Sequence, residues 1–127
     1  MKASIIIRAY NARRTIEKAL SSALLQTFRN SEYEIIVVDD GSVDNTKKIL
    51  TKYSDNNLRI ITQKRKGPTA ALNKGIRISK GQYIVALDAD DIFEEDLLST
   101  EIKKIESDSN VDFVYCNYWE KYDNHPK

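Results

Sequence analysis

The sequence predicts an α/β domain, a mainly parallel sheet with helices on both faces, and three observations carry that prediction. Short β-branched runs alternate with segments whose apolar residues recur at helical spacing, the rhythm of right-handed strand–helix–strand crossovers. The strand runs, such as "SIIIRA" and "EIIVV", are almost unbroken in apolar residues, as expected of strands buried on both faces. A length of 127 residues suits a single domain and is too short for two independent cores.

Taken in order, the first strand is read at residues 3–9, "ASIIIRA". It is followed by a helix from Ile16 to about Thr27, in which Ile16, Ala19, Leu20, Ala23 and Leu24 share one face. "YEIIVV" at 33–38 is the second strand, "DDGSVDN" a turn with helix-capping residues, and Ile49, Leu50 and Tyr53 the inner side of a second helix. A third strand is expected at 58–62, then the basic loop "QKRKGP", a helix over 69–79 and the fourth strand "QYIVAL" at 82–87. A fourth helix carries Leu97, Leu98, Ile102 and Ile105 on one face, and "VDFVYCNYW" at 111–119 reads as a fifth strand. The polar tail "EKYDNHPK" closes no element, so the natural protein is expected to continue past it.

Composition removes several classes of function. Twenty basic residues against nineteen acidic ones leave a formal charge of +1, which gives a polyanion such as nucleic acid no general attraction. One cysteine, Cys116, and one histidine, His125, are too few for a zinc site of the Cys/His type, so any metal must be held by oxygen. No apolar run approaches the roughly 20 residues that span a bilayer, and the N-terminus lacks a signal peptide's apolar region. The expected location is cytoplasmic, with any contact with the inner membrane face left to regions outside this chain.

In open parallel sheets, ligands bind at the carboxyl ends of strands. There the first strand runs into Arg8, Tyr10 and Asn11, the second into Asp39 and Asp40, and the fourth into Asp88, Asp90 and Asp91. If these strands are neighbours, five carboxylates share one rim. Two carboxylates about 4 Å apart repel by roughly 4 kcal/mol at an effective dielectric of 20, so either a positive group or a raised pKa must relieve them. Oxygen-only donors select a hard ion, Mg²⁺ or Mn²⁺, which keeps open positions for phosphate oxygens.

Plainer roles stand beside these. Asp91 suits a helix cap, Asp39 a hydrogen bond to its own turn, Tyr10 either a stacking platform or an ordinary half-buried ring. Lys64, Arg65 and Lys66 suit either phosphate binding or a solvated loop. Gly67, Gly75 and Gly81 match neither the P-loop nor the dinucleotide fingerprint.

The blocks "SIIIRAYNA", "LLQTF", "EIIVVDDGSVDNT" and "ALNKGIRISKGQYIVALDADD" resemble, in order and spacing, the inverting family-2 glycosyltransferases of GT-A fold, from Ser4 to about Tyr118. The resemblance implies a Rossmann-like nucleotide-binding half. It implies transfer of a sugar, of hexosyltransferase type, from a UDP-, GDP- or dTDP-sugar to a hydroxyl of a carbohydrate or lipid-linked acceptor, as in polysaccharide biosynthesis. By position, Arg8, Ala9 and Tyr10 belong to the segment that holds the nucleoside, with Tyr10 against the base, and Asp40 to the base contact. Asp88 and Asp90 match the D-x-D motif, Asp88 near the ribose and Asp90 as the direct ligand of Mn²⁺ or Mg²⁺.

Two positions depart from the family pattern. Arg8 stands where proline is frequent, and Leu72 where arginine is frequent, so a phosphate contact is either missing or supplied by Lys64 or Lys66. The general base that inversion requires lies, in the family, in an acceptor half beyond the D-x-D. The chain, residues 1–127, is therefore read as one nucleotide-sugar-binding domain truncated before that half, and no catalytic base is assigned. Two competing readings are a phosphoacceptor receiver domain, suggested by "IIVVDD", and a nucleotide-binding module without transfer activity.

Overall fold

The computed structural model describes residues 1–120. His125 and the rest of the tail lie outside them.

Four strands form one all-parallel sheet: β1 (Ala3–Ala9), β2 (Tyr33–Asp39), β3 (Leu58–Thr62) and β4 (Tyr83–Asp88). Their spatial order is β3-β2-β1-β4. Both inner strands are buried almost throughout: Ile5, Ile6, Ile7, Ile35, Ile36, Val37 and Val38 are fully buried, and Ser4, Glu34 and Asp39, near the strand ends, are buried too. Burial on both sides is what a near-continuous run of β-branched residues permits, since alternate side chains enter two different cores.

One core packs Ile5, Ile7, Ile35 and Val37 against α1 (Ile16–Leu24), α2 (Thr46–Leu50) and α4 (Leu97–Glu106), through Ile16, Leu20, Leu50, Leu98 and Ile102. On the other face α3 (Pro68–Ile78) sets Ala71 against Ile36 and Val38. It also brings Gly75 so close to β1 that a Cβ there would lie 2.4 Å from Ile6 Cγ2. Helices thus cover both faces, as the sequence predicts.

The chain steps from β1 to β2 to β3 in one direction and then crosses back on α3 to place β4 on the far side of β1. The order of strands therefore reverses between β1 and β4. A crevice opens there at the carboxyl ends, on which the acidic run of β4 is delivered.

Several boundaries shift. α1 ends at Leu24 rather than near Thr27, and α2 is a single turn that leaves Tyr53 beyond it. Tyr53 still joins the first core and donates from its hydroxyl to Glu17 Oε1 at 3.1 Å.

The fifth strand expected at 111–119 is a correction: that segment has no regular structure. Phe113, Tyr115, Tyr118 and Trp119 are 77–93% exposed, and Phe113 and Tyr115 stack only on each other with centroids 6.3 Å apart. A strand is stabilised by a partner's ladder and by burial of one face, and among the described residues this segment obtains neither.

Candidate functional site

The loops after β1 and β2 are joined to each other before any ligand enters. Asp40 N–H donates to Ala9 O at 2.8 Å, Asn11 N–H to Ser42 Oγ at 2.9 Å, Val43 N–H to Asn11 Oδ1 at 3.0 Å and Arg13 N–H to Asp44 Oδ2 at 3.2 Å. Asn11 takes the left-handed conformation, φ +49°, which asparagine tolerates better than most residues. These contacts hold Tyr10 at the mouth of a cavity of about 670 Å³. Arg8, Asp40, Arg65, Asp88 and Asp90 also line it.

Asp40 is 3% exposed and accepts three hydrogen bonds from the β3–α3 loop. Oδ1 receives Gln63 Nε2 and Lys66 N–H, and Oδ2 receives Gly67 N–H, each at 2.8 Å. Burial alone would raise its pKa, but these donors, with Arg65 nearby, hold it below the ordinary carboxylate value. Gly41 makes this approach feasible, because it has φ +76° and a Cβ there would meet Arg65 N at 2.9 Å.

The anchored loop divides its three cations. Arg65 turns into the cavity, sits over the Tyr10 ring at 3.9 Å from its centroid and donates to the Tyr10 hydroxyl. Lys64 and Lys66 line a separate cavity with Lys74 and Arg77. Lys64 and Lys66, one of the two alternatives the sequence leaves open for that phosphate contact, do not line the first cavity, and Arg65 between them does.

Across the strand reversal, Arg8 and Asp88 are register partners on neighbouring strands. The Arg8 guanidinium forks onto both oxygens of Asp88, with Nη2 to Oδ2 at 3.0 Å and Nε to Oδ1. That hydrogen bond is the main reason the Arg8 pKa is raised, and Asp88 and Asp90 add a direct charge attraction.

After Asp88 the chain turns tightly, Asp91 N–H donating to Asp88 O at 3.1 Å, and one carboxylate oxygen each from Asp88, Asp90 and Asp91 lie within 4.8 Å of one another. Burial, then Asp90 and Asp88, push the Asp91 carboxyl above its usual range. Two oxygens bound to one octahedral ion at about 2.1 Å sit roughly 3 to 4 Å apart. Three oxygen donors gathered within 4.8 Å are of the type and near the spacing that Mn²⁺ or Mg²⁺ takes.

The structure sorts the remaining alternatives. Asp91 caps no helix, since α4 begins at Leu97 behind Asp96. Asp39 is fully buried beneath the rim, its Oδ1 accepting Ser42 N–H at 3.1 Å, with no partner for Oδ2 among the described residues. The five carboxylates therefore do not form one group: three gather, Asp40 anchors a loop and Asp39 belongs to the turn. Arg13 and Arg14 line the cavity as well, and the sequence reading did not single them out. For Arg65 the sequence offered only a run of three cations, with no period to say which one faces inward.

Comparison with known proteins places this geometry. Residues 4–127 match the family described as Glycosyl transferase family 2, and the chain belongs to that family. It is 43% identical over 119 residues to the UDP-Glc:alpha-D-GlcNAc-diphosphoundecaprenol beta-1,3-glucosyltransferase WfaP of Escherichia coli, covering 91% of this chain and 45% of that one. The E. coli enzyme of the same description named WfgD is 37% identical over 116 residues, with coverages of 91% and 45%. Among solved structures, S. aureus TarS in complex with UDP-GlcNAc superposes with a TM-score of 0.78 at 31% identity, over 84% of this chain and 32% of that one. The mannosyltransferase PcManGT from Pyrobaculum calidifontis, in complex with GDP-Man and Mn²⁺, gives 0.76 at 28%, over 80% and 31%. The GT-A architecture expected from the sequence is the one present, and the receiver reading falls with it. The chain spans less than half the length of these curated relatives.

Proposed function

We propose that this chain is the donor-binding part of an inverting glycosyltransferase, taking a nucleoside-diphosphate sugar through a divalent metal for transfer to an acceptor hydroxyl. The observation that carries the proposal is the convergence of Tyr10, Asp40, Arg65, Asp88 and Asp90 on one cavity at the strand reversal, beside three carboxylate oxygens within 4.8 Å of one another. The base lies against Tyr10 near Asp40, the ribose near Asp88, and the diphosphate between Arg65 and the carboxylate trio. Ala9 forms the floor beneath the nucleoside, buried and lining the cavity.

Asp90, exposed at the turn, is the principal metal ligand, with Asp91 beside it. When bound, Mn²⁺ or Mg²⁺ neutralises the diphosphate and its departing charge. Uridine is the preferred nucleoside, supported by the UDP-Glc donors named for WfaP and WfgD and by the UDP-GlcNAc complex of TarS. Relatives named for a diphosphoundecaprenol acceptor support a lipid-linked acceptor and work near a membrane face. Among the described residues no helix is long and apolar enough to cross a membrane.

Calorimetric titration with UDP, GDP and dTDP, each with and without Mn²⁺, tests the proposal. UDP with Mn²⁺ is expected to bind most tightly, and absence of binding by all three in the presence of Mn²⁺ contradicts it.

A further inference from the structure

Arg8, which the family resemblance places in the nucleoside-holding segment, lines the cavity but is turned towards β4. It extends from the end of β1, its side chain 31% exposed, and meets Asp88 directly across the parallel ladder. Both Asp88 oxygens are engaged by the same guanidinium. A carboxylate held in such a fork has its strongest acceptor directions and its charge committed to arginine, whose planar geometry matches it better than a lysine would. Yet Asp88 is also one of the three residues whose oxygens come within 4.8 Å of one another, the group that could hold a cation.

The same carboxylate is thus claimed by a fixed cation of the protein and by a divalent ion. With Arg8 in place the trio offers the metal an effective charge nearer −2 than −3, and one of its ligands is already occupied. An ion presented alone therefore meets an incomplete site. An ion presented with a nucleoside diphosphate brings phosphate oxygens that replace what Asp88 withholds.

Resting on the donor-binding reading, we propose that Arg8 is a positioning residue that competes with the divalent metal for Asp88, and so couples metal binding to binding of the nucleoside diphosphate. In linkage terms, UDP and Mn²⁺ strengthen each other's binding, and Arg8 enlarges that factor by weakening Mn²⁺ binding without UDP.

A double-mutant cycle on Mn²⁺ affinity, measured by electron paramagnetic resonance of the free ion at fixed ionic strength and without nucleotide, tests this. Arg8→Gln is expected to tighten Mn²⁺ binding at least tenfold. In the Arg8→Gln background, Asp88→Asn should abolish that gain, whereas in the wild-type background Asp88→Asn should change Mn²⁺ affinity by less than threefold. The strengthening of UDP binding by Mn²⁺ should shrink in Arg8→Gln by the factor that free Mn²⁺ binding gained. Circular dichroism of each variant confirms that the fold is kept.

The proposal is overturned if Arg8→Gln leaves Mn²⁺ affinity within twofold of wild type, or if the gain survives loss of Asp88. If wild-type protein binds UDP with Mn²⁺ and Arg8→Gln alters nothing, only the role of Arg8 fails. If wild-type protein binds no nucleotide with Mn²⁺, the donor-binding reading fails and takes this inference with it.

Discussion

At the scale of single residues, the proposed donor site divides into groups that would touch ligand and groups that hold other groups in place. Asp90 belongs to the first, and Asp90→Asn is expected to lower the Mn²⁺-dependent affinity for UDP by at least tenfold in calorimetry while leaving the unfolding free energy within about 0.5 kcal/mol of wild type. Tyr10→Ala removes both a stacking face and the seat of Arg65, and a loss of about 1–2 kcal/mol in UDP affinity is expected from the lost ring contacts.

Asp40 belongs to both groups, and its pH dependence distinguishes them. Its folded pKa lies below the ordinary value because three loop donors outweigh the opposing effect of burial. Its stabilisation is therefore complete above the unfolded value of about 4 and is lost as the pH falls through the lower folded value. Asp40→Asn is expected to cost about 1–3 kcal/mol at pH 7 by urea unfolding, and the gap from wild type should close as the pH drops below about 4. The candidate site was legible at Tyr10, Asp40, Asp88 and Asp90 because strand ends in a parallel sheet are predictable places. Arg65 was not separable from its two neighbours, because loop alternation depends on the anchoring by Asp40, a tertiary fact.

At the scale of elements, close packing of α3 on β1 sets the height of the β3–α3 loop above the sheet. Gly75→Ala would push a methyl to 2.4 Å from Ile6 Cγ2, so that either the buried Ile6 side chain or α3 must shift. A cost of about 1–3 kcal/mol in thermal or urea unfolding is expected, accompanied by weaker UDP binding as Arg65 is displaced. Below the same helix, the buried Glu34 carboxylate accepts Ser4 Oγ at 2.8 Å, Lys80 N–H at 2.6 Å and Arg59 Nη1 at 3.4 Å. Glu34→Ala leaves these donors short of a partner, and about 2 kcal/mol of stability should be lost with UDP affinity unchanged in the fraction that folds.

All four strands were readable because β-branched runs are short and bounded by polar turns. The helices were readable from their apolar faces, but their ends were not. α1 stops at Leu24, and Gln26 beyond it is buried by polar contacts instead, its Nε2 donating to Glu94 O at 2.7 Å and its Oε1 accepting Leu98 N–H at 3.0 Å. No apolar period announces such a contact. The segment 111–119 has the composition of a strand but no partner ladder among the described residues, and composition alone cannot supply one.

At the scale of the whole molecule, strand order decides function. The reversal between β1 and β4 brings together residues some 80 positions apart, as the pairing of Arg8 with Asp88 shows. An unreversed order would leave the acidic turn of β4 away from Tyr10 and Asp40. The class of fold followed from the alternation of strands and helices, whereas the order β3-β2-β1-β4 did not, because each strand's sequence is compatible with several neighbours. The most direct measurement of the central claim is a crystal structure with UDP and Mn²⁺. It is predicted to show the base against Tyr10 and the ion on Asp90, between the diphosphate and the turn after β4. Nucleotide bound instead in the separate cavity of Lys64, Lys66, Lys74 and Arg77, with no ion at Asp90, would contradict it.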